Sequence, residues 1–554
     1  MFSLARSKPR AALLCETGNA ILVFDNTRAF CAPRITDSAF LEGNFDVNRM
    51  RVRHIAPLAS KIADWRVYGA GCRGLEGWML KLFRLGFGMS MLVLAFAGLS
   101  GVTPARAESL NEALASAYQY NPRLDAERAR LRATDEDVAR AMSGYRPRVD
   151  GSADINYQNI NTRPITTTEG VAHPKNYAVS AEQNVFNGFQ TVNAVKGAEA
   201  GVRAGREQLR FVEQSVLLEA VTAYMNTVRD QEIVRLSESN VGFLTTELKA
   251  TQDRFAVGEV TRTDVAQSQA RRAGAIGELD VAQANLKASR ASYEQIIGHP
   301  PAVLTEPVGY AASLPRSLDE ASSIATKENP SVVAALYVEE QARYGVDQIR
   351  GELLPEVTVS ATYNNTLDAN PFLEQQERTT VTGRVTMPIY EGGETYARVR
   401  QAKHTHISKL QEIEQNRTEV QSRVVAAWSQ LQAARAQLES DKVQVESNQV
   451  ALAGVREEER VGQRTLVDVL DQQRALVISQ IQLAATKRNI VVNSFTVLER
   501  IGRLEMTQLG LTSPVYDPVV HADEVRRKWF GLSITHDDGR LEHVDVWNGN
   551  VPAK

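Results

Sequence analysis

The chain has 554 residues, 43% hydrophobic and 23% charged, a balance that excludes collagen-like, mucin-like and wholly disordered classes. With 66 acidic and 63 basic residues the net charge is −3, so no overall basic field recommends nucleic acid as a partner. All three cysteines, Cys15, Cys31 and Cys72, precede the main body, which can therefore form no disulfide, thiolate metal site or cysteine nucleophile.

Residues 1–78 read as a non-native upstream extension carried by an early start codon. Its Gly69-Ala70-Gly71-Cys72-Arg73-Gly74 lacks the flanking strand and helix of a nucleotide site. From Met79 a basic head with Lys81 and Arg84, an apolar body Leu85 to Leu99 and an Ala105-Arg106-Ala107 exit form a secretory signal peptide, 79–107, cleaved before Glu108. No cysteine follows that point, which excludes lipid attachment there. Beyond it no apolar run reaches the roughly eighteen residues that a spanning helix needs, so any membrane passage must be made by strands.

The remainder is a duplication. Ser109, Asn121-Pro122 and Pro147 recur as Ser317, Asn329-Pro330 and Pro355, displaced by 208. Gly188, Tyr224, Gly258, Asp264 and Gly298 recur as Gly392, Trp428, Gly462, Asp468 and Gly502, displaced by 204. The repeats span 108–316 and 317–510, and 511–554 reads as a periplasmic strap and loose tail.

Each repeat opens with a helix, near 110–142 and 318–350, capped by Ser109 or Ser317. Period-two alternation then predicts strands at about 149–160, 176–186, 356–364 and 380–389, while 159–175 and 365–378 read as exposed loops. Four strands are too few to close a barrel, because single-chain barrels begin at about eight. Copies of the chain must share a sheet, and three copies, giving twelve strands, are favoured. Residues 175–299 and 389–513 contain no proline and predict long helices at about 190–257, 262–298, 394–461 and 466–502. The longest would extend about 100 Å and must project from the membrane. Two apolar seams run along the first, Leu209, Val212, Val216, Ala220 and Ala223 beside Leu217, Val221, Tyr224 and Val228, so that it can touch a neighbour on either side.

The long helices end at Val257-Gly258 and Val461-Gly462, where glycine suits a left-handed cap. Asp264 and Asp468 sit where the next helix begins, a position that favours carboxylates. Asp471, three residues after Asp468, lies on the same helical face. If that face points to a threefold axis, six carboxylates ring the mouth, and Arg464 could pair across subunits or with Asp264 to hold it shut.

At this point the chain resembles the TolC family of outer-membrane export channels over about 109–510. The likeness is carried by the duplicated unit, the strand pairs and the string Val461-Gly462-Gln463-Arg464-Thr465-Leu466-Val467-Asp468-Val469-Leu470-Asp471. It implies a mainly α fold with a transmembrane β-barrel, trimeric and twelve-stranded, continued by a periplasmic α-helical barrel. It implies partners too: a periplasmic adaptor protein, an inner-membrane transporter that supplies energy, and outer-membrane lipid. By the same resemblance Asp468 and Asp471 line the pore constriction, and Asp264 and Arg464 belong to the closed-state tip network. Val257, Gly258, Val461, Gly462 and Thr465 would meet the adaptor. Glu459 stands where some relatives carry tyrosine.

No enzyme motif, cofactor site or usable cysteine is present, and His404 and His406 do not share a helical face as a metal pair would. The expected function is a passive exit duct for type I protein secretion or drug efflux, opened at its tip by an adaptor–pump complex. The competing reading is a periplasmic coiled-coil scaffold without a pore.

Overall fold

The computed structural model describes residues 107–162, 168–307, 314–370, 373–511, 514–536, 540–545 and 549–551, with three short strands near the start. It divides into two units, Met1–Leu99 and Ser100–Lys554. In the first, β1 (Leu13–Leu14), β2 (Ala20–Asp25) and β3 (Arg28–Pro33) form an antiparallel sheet. The glycine motif at 69–74 and the expected leader, apart from Ala107, lie outside the described residues.

The second unit carries the repeat. α1 (Leu110–Tyr120) and α2 (Pro122–Met142) have counterparts in α5 (Leu318–Glu328) and α6 (Pro330–Gly351). Where one helix was expected in each repeat the structure has two, because the asparagine before Pro122 or Pro330 turns extended and caps a new helix: Asn121 accepts from the Arg123 N–H and Asn329 from the Ser331 N–H. The same side chains donate to Ile296 O at 3.0 Å and Arg500 O at 2.9 Å, equivalent carbonyls at the ends of the two returning helices. The duplication thus reaches individual hydrogen bonds.

β4 (Arg148–Ile155), β7 (Lys175–Asn187), β8 (Glu356–Asn370) and β9 (Leu373–Thr386) form one antiparallel sheet in that order. Its register lines up Val149, Ala181, Ala361 and Val381 in one row and Gly151, Val179, Tyr363 and Thr379 in another. The row between them is Asp150, Ser180, Thr362 and Thr380. One face is therefore apolar and the other polar, as a wall between lipid and a wet lumen requires.

The strands differ from expectation at their far ends. β5 (Gln158–Thr162) pairs with β6 (Thr168–Ala172), and β8 and β9 continue through most of 365–378, where loops were expected. Polar Asn, Thr and Gln there erase the apolar alternation, yet ladder bonds belong to the backbone and Thr favours strands. At the near end β9 stops at Thr386, short of the expected 389, because Pro388 has no N–H to give the ladder.

The long helices are α3 (Gln190–Ala256) and α7 (Glu394–Arg460), 67 residues each, and the returning ones α4 (Arg262–Ile297) and α8 (Leu466–Arg500). α3 packs on α4, α7 on α8, and α3 also touches α2, α6 and α8. Both predicted seams of α3 are covered: Val216, Leu217, Ala220, Val221 and Tyr224 have no exposure. α7 differs. Val420, Val424 and Leu431 are buried, but Val425, Val443 and Val450 on its other side are 41%, 62% and 69% exposed. Beyond α8, α9 (Pro518–Arg527) lies on α2, followed by the short strands β10 (Ile534–Thr535), β11 (Leu541–Asp545) and β12 (Gly549–Val551).

Candidate functional site: the helical tips and the open sheet edges

The two tips are built alike. α3 ends where Gly258, at φ +85°, donates to Phe255 O and Glu259 N–H reaches back to Arg254 O, each at 3.0 Å. α7 ends where Gly462, at φ +75°, donates to Glu459 O at 2.9 Å and Gln463 N–H reaches Glu458 O at 2.8 Å. These paired bonds close the last turn through a left-handed residue, a conformation glycine adopts without steric cost.

The next helix starts at once. Thr261 caps α4 with Asp264 in a reciprocal capping box, and Thr465 caps α8 with Asp468 in the same way. Asp468 Oδ2 accepts from the Thr465 N–H at 3.0 Å and hydroxyl at 2.8 Å, and the backbone bond above all holds its carboxyl below the usual range. Asp264 makes the equivalent bonds to Thr261, both at 2.8 Å. Three of the predicted site residues, Asp264, Thr465 and Asp468, therefore also shape the starts of their own helices.

Asp471 is engaged differently. It pairs with Arg271 of α4, so the acidic face of the second tip is tied to the first repeat. Arg464 lies 3.0 Å from Glu458 Oε2 within its own turn, and the structure does not bring it to Asp264 within the chain. Phe255, Val257 and Val461 stand 46%, 73% and 68% exposed at the ends of the hairpins.

Sequence reasoning missed the ion pairs that join the two hairpins. Arg254 is 2.5 Å from Glu459, and Arg456 is 2.9 Å from Glu247 while its guanidinium lies 4.8 Å over the Phe243 ring. The Glu459 hydrogen bond holds the Arg254 guanidinium above its ordinary value. A signal was available in the repeat itself. With the 204-residue offset, Arg254 corresponds to Glu458, Arg271 to Ala475 and Asp471 to Gln267, so the copies diverge in charge where they meet. Each bridge can form once per chain, not twice.

Among the described residues no cluster of three or more His, Cys, Asp or Glu could hold a metal, and His406 instead lies 2.6 Å from Glu339 between α7 and α6. No described helix is long and apolar enough to cross a membrane. The sheet, in contrast, has two edges, β4 and β9, that pair with no other strand among the described residues, the latter exposed along all 14 residues.

The model of the outer membrane efflux protein family matches residues 113–299 and 321–503, one segment in each repeat. The chain belongs to this family. It is 38% identical over 455 residues to the outer membrane efflux protein BepC of Brucella suis, covering 81% of this chain and 98% of that one. With the outer membrane protein TolC of Vibrio cholerae it shares 26% identity over 409 residues, 72% of this chain and 91% of the relative. The Campylobacter jejuni CmeC outer membrane channel superposes with a TM-score of 0.64 at 16% identity, over 76% and 89% of the two chains. The protein is an outer-membrane channel for export or efflux, and its fold class, mainly α with a membrane β-sheet, is the one expected from the sequence.

Proposed function

We propose that three copies of the chain assemble into one passive exit duct. Each contributes four strands to a twelve-stranded barrel and two helical hairpins to a periplasmic tube, whose tip an adaptor protein and an inner-membrane transporter open. The observation that carries this reading is incompleteness at both levels of one chain. The sheet has open edges at β4 and β9, and α7 bears an uncovered apolar side at Val425, Val443 and Val450. Lateral joining of copies covers both, because sheet edge and α7 flank would each meet a neighbour.

In this assembly Asp468 and Asp471 form the constriction, and Arg464 and Asp264 belong to the network that keeps it closed. The exposed turns Val257-Gly258 and Val461-Gly462 with Thr465 receive the adaptor, since short apolar tips suit a helix-tip partner. Cargo, whether protein or small molecule, is driven by the transporter.

The test is covalent. Val149→Cys in β4, combined in turn with cysteines at 379, 381, 383 and 385 in β9, introduces the only thiols after Cys72. Oxidation in membranes is expected to give a ladder that ends at three chains, and purified protein is expected to give discrete steps in planar bilayers. A ladder ending at two, or verified insertion without steps, refutes the trimeric duct; the latter result is what a pore-free coiled-coil scaffold gives.

A further inference from the structure

The end of the C-terminal strap stands at the rim of the membrane sheet. α9 is held on the helical wall by buried Val525, by His521 Nδ1 at 2.9 Å from Asp135 Oδ2, and by Arg526 paired with Glu199 of α3. Directly after it, Trp529 and Phe530 are 66% and 92% exposed. Their place is fixed by Arg146, whose guanidinium lies 4.7 Å over the Trp529 ring and donates to Lys528 O at 3.2 Å. Arg146 links the turn Ser143–Tyr145 to β4, so Trp529 sits where the chain passes from helix into sheet.

That rim is already aromatic. Tyr145 before β4, Phe189 after β7 and Tyr390 after β9 are 51%, 56% and 81% exposed, and Phe186 packs edge-on to Phe189 at 5.2 Å. Tyr and Trp gather at the two levels where a bilayer meets water, and basic side chains beside them attract anionic headgroups. The Trp529–Phe530 pair continues this belt from a segment that is not a strand, and exposed Arg527 precedes it.

We infer that Trp529 and Phe530, with Arg527, form an interfacial foot that rests on the phospholipid headgroup layer of the periplasmic leaflet and ties the strap to the bilayer. This depends on the sheet lying in the outer membrane and not on the cargo or on the number of copies. A protein occupant is disfavoured by position, because the foot lies at the opposite end of the helical tube from the tips assigned to the adaptor.

The experiment compares the full chain with Trp529→Phe after reconstitution into vesicles of phosphatidylethanolamine and phosphatidylglycerol carrying bromine at defined acyl depths. The fluorescence component lost in Trp529→Phe is expected to be blue-shifted from that of tryptophan in water, and bromine near the headgroups is expected to quench it more than bromine at mid-bilayer. Quenching by aqueous acrylamide with no response to bromolipid overturns the foot. A component reached by neither quencher overturns it in favour of a protein contact, either with a second copy or, if it appears only on adding the adaptor, with that partner.

Discussion

If tip opening swings one helical hairpin away from the other, the Arg254–Glu459 bridge must break, and its removal has a calculable effect. Glu459 is 18% and Arg254 43% exposed, so the pair lies at the favourable end of the roughly 0.2–1 kcal/mol measured for accessible ion pairs. Taking about 0.5–1 kcal/mol per bridge and three bridges released together, Glu459→Ala removes about 1.5–3 kcal/mol from the closed state. At about 1.4 kcal/mol per decade, that raises the resting open population about ten- to a hundred-fold. Single-channel recording in planar bilayers without adaptor reads this directly, and Arg254→Ala should give a rise of the same size. The charge exchange Arg254→Glu with Glu459→Arg should restore closure. If Glu459→Ala rests as tightly shut as the parent, or the exchanged pair opens as readily as the single variants, the two hairpins are not held together by this contact.

Asp468→Asn with Asp471→Asn should weaken block by multivalent cations, while Asp471→Asn alone keeps the capping of α8 intact; unchanged block in conductance traces would remove these carboxylates from the constriction. Arg464→Ser should raise resting conductance, and equal resting conductance would confine Arg464 to its contact with Glu458. Burial pushes the Glu213 carboxyl up to about 7, with nearby Glu505 adding to the rise. A carboxyl raised above its unfolded value near 4.5 binds its proton more tightly when folded, so this group's contribution is fullest below that value and is lost as pH rises through 7. Glu213→Gln should therefore flatten the fall in thermal midpoint between pH 5 and 8, on the order of 3 kcal/mol at the upper bound, and an unaltered slope would show that other groups set it. Gly502→Ala should destabilise by more than about 1 kcal/mol, because φ is +82° and a Cβ there would lie 2.7 Å from Glu328 O. A melting temperature equal to that of the parent would show that this junction gives way without cost.

How far the sequence could be read depended on whether a signal was local or lay between distant segments. The turns at Gly258 and Gly462 were legible because a helix end, a positive φ and a Thr-x-x-Asp cap leave a short fixed pattern. The duplication was legible down to Asn121 and Asn329, whose equivalence then proved to be a pair of equivalent hydrogen bonds. The outer parts of the strands were not, since Asn364, Asn365, Gln375 and Gln376 pair through their backbones and carry no apolar alternation. Arg271 and Asp471 were hidden for another reason: they stand 200 positions apart, and which charges meet depends on how α4 lies against α8. The contact of Arg464 with Glu458 lay six residues away across the turn, a spacing that the helical faces do not single out.

The divergence in charge between the two halves bears on how such a mouth can move. A ring of six identical arms would offer every seam the same fastening, and any force that undid one would undo all. Here the bridges inside one polypeptide, Arg254–Glu459, Arg271–Asp471 and Arg456–Glu247, have no counterpart under the repeat offset, so in the proposed trimer the seams within chains are unlike those between them. One set of arms can stay put as a frame while the other swings, and each swinging arm of the proposed trimer then releases two unlike contacts, one within its own chain and one with the next.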